Sequence, residues 1–320
     1  MVGFLVLMAA FRAGAAGPAA TFATDTAQFV VSAEGNWASV TSAGSGAPVL
    51  APGQPAPILS LRVAGTWHAP VAAEWDDVRG RLTLRYSAVD GRAVLEVRPK
   101  STHLTLELVE AGVAAPAEIE AVLWGPYPTV IGETIGEIVG VVRNREVAFG
   151  IQALNAKTLG GYPAAENDAD VDYGGDDRGY YPDLPAELRI GQGFRGDAAR
   201  SAPFGSVLQA YCRNRTQTRV LPNWGHERYR VLPYPDRGVI GSRIALFVCP
   251  EPRALAVIGA IEEAEGLPHP MLDGEWAKTS RNATASYLIV DFGEATIDRA
   301  IEMTRRAGLK YLYHSSPFAT

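Results

Sequence analysis

The side chains best suited to chemistry fall in a few short stretches. In Asn223–Tyr234, NWGHERYRVLPY, the residues Trp224, His226, Glu227, Arg228 and Tyr229 crowd together. Adjacent imidazole and carboxylate groups in a Trp-rich turn suit a substrate pocket. His103 and Glu107 lie four apart in HLTLELV and so share one face of a strand with Thr105. There they are either a ligand-binding pair or the wet side of an antiparallel strand, and the second arrangement is the common one. Asp168, Asp170 and Asp172 alternate as the first ligands of a calcium loop do. Tyr173 stands where such a loop needs glycine and Gly179 where it needs its closing glutamate, so a solvated acidic loop is expected, and no metal. Asp291 and His314 complete the set, each at the end of an apolar run.

What positions these groups is a chain of 320 residues with 33 Gly and 22 Pro, 47% hydrophobic and 20% charged. That is a globular composition rich in turns. A net charge of −6 argues against a nucleic-acid partner, since phosphate binding needs a basic face. Residues 1–23 hold an apolar run, Val2 to Phe11, followed by small residues, which resembles a secretory signal and points to a secreted or periplasmic protein. No basic residue precedes the run and Arg12 follows it, so an ordinary buried segment is the other reading. The run is too short for a membrane anchor, and no membrane partner is expected.

From Thr24 to about Pro250 the pattern is β. Arg81 to Val97 reads as two alternating runs around Asp90-Gly91, a hairpin signal, with Leu82, Leu84 and Tyr86 on one face and Arg81, Thr83 and Arg85 on the other. In the next run Leu104, Leu106 and Leu108 point inward. Further strands are expected at 28–31, 57–63, 118–123, 138–142, 147–153, 206–212 and 239–248. Many short strands without intervening helices predict a sandwich of antiparallel sheets. A long irregular excursion, 158–206, carries Tyr162, Tyr173, Tyr180 and Tyr181, which suit stacking on sugar faces or packing onto the sandwich. Cys212 and Cys249 allow one bridge or two buried thiols.

After Pro250 the period changes. PRALAVIGAIEEAE predicts a helix over 252–265 with Leu255, Ile258, Ala260 and Ile261 at helical spacing, started by Pro252 and ended by Gly266. A proline-containing linker follows, so the helix and linker occupy 251–283. Tyr287 to Val290 is a continuous apolar run, as in parallel strands covered on both faces. Thr296 or Glu294 caps a helix with Ile297, Ala300, Ile301 and Thr304 as its inward stripe. Gly308 ends it, and Leu309 to Tyr313 makes the next strand. Residues 284–320 thus predict one βαβ unit, which needs further strands and helices to form a covered sheet.

This order of parts resembles large secreted bacterial glycoside hydrolases, in which a galactose-mutarotase-like β-supersandwich, here 24–250, leads through a helical linker into a (β/α)8 barrel. The resemblance spans nearly the whole chain as architecture, with its motif support between Gly266 and Phe318. It implies a mainly β fold joined to the start of a barrel, and hydrolysis of glycosidic bonds by two carboxylic acids on later strands. Asp291 and His314 become substrate contacts, because barrel sites lie at the C-terminal ends of strands. Asp291 also suits the start of a helix, where negative charge is favoured. A carbohydrate substrate is implied, without a cofactor. The alternatives are a non-catalytic carbohydrate-binding module and a mutarotase-like epimerase, the latter requiring a His and a Glu to converge.

Overall fold

The computed structural model describes residues 17–136, 139–161, 198–214, 219–223, 226–231 and 238–314, with the backbone alone described for 219–223 and 226–231. The chain divides into two compact units, Met1–Ile261 and Glu262–Thr320. Most of the signal-like segment, the acidic triplet Asp168, Asp170 and Asp172, the tyrosines Tyr162, Tyr173, Tyr180 and Tyr181, and Trp224 lie outside the described residues.

The first unit is mainly β and antiparallel. Strands β1 (Ala20–Ala23), β2 (Ala27–Val31) and β3 (Trp37–Ser42) make a three-stranded sheet. The chain continues through β4 (Ser60–Val63), β5 (Thr66–His68), β6 (Ala72–Asp76), β7 (Arg81–Tyr86), β8 (Gly91–Pro99), β9 (Leu104–Gly112) and β10 (Ile119–Thr129). Then come β11 (Thr134–Gly136), β12 (Val141–Arg143), β13 (Val147–Ala153), β14 (Leu159–Gly160), β15 (Ala199–Ala202) and β16 (Gly205–Arg213). The hairpin β17 (Arg219–Asn223) and β18 (His226–Val231) precedes β19 (Arg243–Pro250). One sheet has the order β14-β16-β10-β4-β5, with β15 also on β16, and the other β11-β12-β13-β19-β9-β8-β7-β6. Phe29, Leu61, Leu84, Leu106, Trp124, Phe149, Leu208 and Leu246 belong to one buried cluster fed by all three sheets, so the unit is a β-sandwich around a common core.

Period-2 alternation builds this core. Leu82, Leu84 and Tyr86 of β7 and Leu104, Leu106 and Leu108 of β9 are almost completely buried. The β7–β8 connection is longer than a tight Asp-Gly turn: Tyr86 pairs with Gly91 across a 3-10 turn at Ser87–Val89. Asp90 takes the left-handed conformation (φ 44°) and Gly91 already belongs to the strand. The opposite face of β9 is not simply wet, because His103 and Thr105 are 1% and 2% exposed. β9 lies inside the sheet between β19 and β8, and charged side chains of those neighbours cover it. Cys212 and Cys249 are both buried thiols, not joined in a disulfide.

After a short 3-10 turn (Glu251–Arg253), helix α1 (Ala254–Glu265) buries Ala254, Val257, Ile258 and Ile261, an i, i+3, i+4, i+7 stripe. Leu255, expected on that stripe, is 41% exposed, since it lies a quarter-turn off it.

The second unit opens with the last turn of α1. Gly266 (φ 67°) and the bond from Leu267 N–H to the Glu262 carbonyl, 2.8 Å, end that helix. A short hairpin follows, β20 (Met271–Leu272) with β21 (Glu275–Trp276). Then β22 (Tyr287–Val290), α2 (Ile297–Arg306) and β23 (Tyr311–His314) form a βαβ unit with the two strands parallel, Val290 beside His314. Thr296 Oγ1 accepts from the Gly293 N–H at 3.2 Å, which closes the 3-10 turn Glu294–Thr296 before α2; Thr296 precedes α2 without a side-chain cap bond to it, contrary to expectation. β22 is not covered on both faces: Tyr287 and Ile289 are 60% and 51% exposed. Ala300 and Thr304 of α2 are buried, whereas Ile297 is exposed. The stripe is narrower than expected because one helix meets only two strands.

Candidate functional site

Two groups of polar side chains in the second unit have the geometry of built sites. The first is at the ends of the parallel strands. β22 and β23 run side by side, so Asp291 and His314 fall at the same end of the pair. Asp291 is exposed. His314 is partly buried, with Nε2 2.8 Å from the Phe292 carbonyl oxygen and 3.2 Å from the Phe292 nitrogen. Its ring meets the Phe292 ring edge-on, with centroids 4.6 Å apart and planes at 83°. The structure therefore brings the two expected residues to one strand end and ties the imidazole to the residue directly after the carboxylate.

The second group surrounds Glu262, in the last turn of α1. Its side chain is 5% exposed and bridges His269 and Lys278. His269 Nδ1 is 3.0 Å from Oε2, and Lys278 Nζ bonds Oε1. His269 Nε2 faces Glu263 Oε1 at 3.5 Å. The imidazole lies flat on the Trp276 ring, with centroids 4.9 Å apart and planes 9° apart, and Lys278 Nζ stands 5.2 Å from the same ring's centroid. A buried carboxylate is tolerable because both its oxygens are paired. This group has no motif in the sequence. Its one visible trace is a glutamate directly following Ile261, at the inner edge of a buried helical stripe.

The remaining sequence-derived candidates are dispersed. His226 and Glu227 begin β18, of which only the backbone is described, and Trp224 lies outside the described residues. His103 and Glu107 are not brought together: four residues along a strand separate them by about 13 Å. His103 Nδ1 is 2.9 Å from Thr102 Oγ1, while Glu107 faces Arg243 Nε at 3.7 Å. Among the described residues no cluster of His, Cys, Asp and Glu has the make-up of a metal site, and no helix is long and apolar enough to cross a membrane.

No family model matches the chain, and no curated protein sequence matches it.

Proposed function

We propose that this chain is the N-terminal portion of a glycoside hydrolase acting on an oligo- or polysaccharide. Its sandwich is of galactose-mutarotase type, and β22, α2 and β23 open a (β/α)8 catalytic domain whose paired carboxylates are on later strands. The supporting observation is the parallel pairing of β22 and β23 through α2 with Tyr287, Ile289 and Tyr313 left 51–60% exposed. Parallel strands are stable when both faces are covered and both edges paired. Two strands and one helix leave an apolar face open, which a closed barrel would bury. Asp291 and His314 then sit at the end of the strands where barrel enzymes hold substrate. Glycosidic cleavage needs a proton donor to the leaving oxygen and a second carboxylate as nucleophile or base. In this reading neither is among the described residues. The apolar run at the N-terminus supports a secreted or periplasmic location.

The test is to read the frame past the Thr320 codon and to assay two purified proteins, the 320-residue chain and the longer product, on a panel of aryl glycosides and polysaccharides. The longer product should carry repeated strand–helix units and hydrolyse at least one substrate, and the 320-residue chain should hydrolyse none. Turnover by the 320-residue chain, or a downstream frame without such repeats, would overturn the proposal.

A further inference from the structure

Side-chain alternation separates the roles of Asp291 and His314. Tyr287 pairs with Tyr311 and Ile289 with Tyr313, so these four share one face of the parallel pair. Three of them are more than half exposed. Leu288, Val290, Leu312 and His314 share the other face and are all partly buried. α2, whose Ala300 and Thr304 are buried, therefore packs on the second face. His314 lies on the helix side. Asp291 directly follows the last residue of β22, next in the odd-numbered series, and is exposed.

We infer that His314 is a positioning residue: it holds the backbone of Phe292 and thereby aims Asp291 at the open face, where a hydroxylated ligand such as a saccharide binds. The ring nitrogen Nε2 is within hydrogen-bond distance of both backbone polar atoms of Phe292, and the edge-on contact with the Phe292 ring fixes the imidazole plane. With the ring proton on Nδ1, Nε2 accepts from the Phe292 N–H. The peptide joining Asp291 to Phe292 is then held from the helix side, which sets the direction of the Asp291 Cα–Cβ bond. In a closed barrel the face away from the helices is the interior, so Asp291 looks into the substrate end of the barrel and His314 stands behind it. The ligand in this inference rests on the glycosidase reading, whereas the contact between His314 and Phe292 does not.

Three variants test it, each made in the 320-residue chain and in the longer product: His314→Phe, which removes the acceptor, His314→Gln, whose amide oxygen reaches the place of Nε2, and Asp291→Asn. Amide hydrogen exchange is followed by mass spectrometry on peptides covering 290–296, and saccharide affinity is measured on the longer product. His314→Phe should speed exchange in this segment about tenfold, the effect of losing one net hydrogen bond, and His314→Gln should restore it. Asp291→Asn should weaken saccharide binding while leaving exchange unchanged. Unchanged exchange in His314→Phe would overturn the inference. So would a His314→Gln protein with wild-type exchange that binds saccharide as poorly as Asp291→Asn, because the imidazole would then touch the ligand itself. If the wild-type longer product binds no saccharide, the glycosidase reading fails, and the exchange data still decide the role of His314.

Discussion

Trp124 donates its indole N–H to Ser242 Oγ at 2.8 Å, and the two residues, 118 apart in sequence, are both fully buried. Trp124 belongs to β10 and Ser242 immediately precedes β19, so the bond ties one sheet of the sandwich to the other. Thr158 Oγ1 lies 3.0 Å from Ser242 Oγ and donates to Asn155 Oδ1, also at 3.0 Å, while the Asn155 amide returns to the Gly241 carbonyl at 2.7 Å. The circuit leaves none of its buried donors without a partner, which is the condition for a polar network to belong in a core.

Ser242→Ala should destabilise the first unit by about 1–3 kcal/mol, because the indole N–H then stays buried without an acceptor. Trp124→Phe in the Ser242→Ala background should cost less than it does alone, since the donor is removed with its partner. Urea unfolding of the four proteins of this cycle measures both effects. Equal costs in the two backgrounds would refute the coupling.

Gly150 on β13 faces Phe247 on β19, and a Cβ at position 150 would lie 2.3 Å from Phe247 Cε1. Gly150→Ala should therefore overpack the sheet and cost about 1–3 kcal/mol. Adding Phe247→Leu should recover part of that loss, although Phe247→Leu alone is destabilising. Denaturation midpoints of the single and double variants check the sign of the recovery.

Glu262→Gln keeps the size of the side chain but removes the charge shared by His269 and Lys278. His269 and Lys278 are 18% and 48% exposed, so water takes over part of their solvation. The expected loss is about 1–2 kcal/mol, below that of a fully buried pair. It should appear as faster hydrogen exchange and easier proteolysis between 262 and 280, with the sandwich core unchanged. Protection unaltered in that segment would show that the cluster contributes nothing to its stability.

Burial pushes the Cys249 thiol up to about 11 from 9.0, and burial also raises the hydroxyls of Tyr86 and Tyr127. Folding thus favours the neutral form of all three. The sign follows from linkage: stability is complete below pH 9, where the unfolded thiol is also protonated, and falls as pH rises towards 11 and the unfolded chain alone ionises. Urea midpoints measured from pH 8 to 10.5 should decline, and Cys249→Ala should decline less steeply over the same range. A wild-type midpoint independent of pH in that window would contradict the buried thiol.

Much of the fold was legible in the sequence where alternation is regular. Leu82, Leu84 and Tyr86, and Leu104, Leu106 and Leu108, point inward as their spacing requires, and Gly266 and Gly308 end their helices with positive φ. The closing strand–helix–strand order was also legible, because apolar runs and a terminating glycine are local signals. Other features depended on neighbours distant in sequence. Whether His103 and Thr105 face water depends on β9 being an inner strand. The Glu262 cluster joins residues 7 and 16 positions apart through a linker with no periodic pattern.

By itself the sequence determined which side of each strand and helix is apolar, where those elements stop, and that Asp291 and His314 end successive strands. These follow from backbone geometry and nearest neighbours along the chain. Only the tertiary structure decided which strands adjoin, and so which polar groups are buried and with what partner. It also decided that His314 lies on the helix side and bonds Phe292 while Asp291 is exposed. The reason is physical: a side chain's periodicity is local, but its solvation and hydrogen bonds depend on whatever surface the folded chain sets against it.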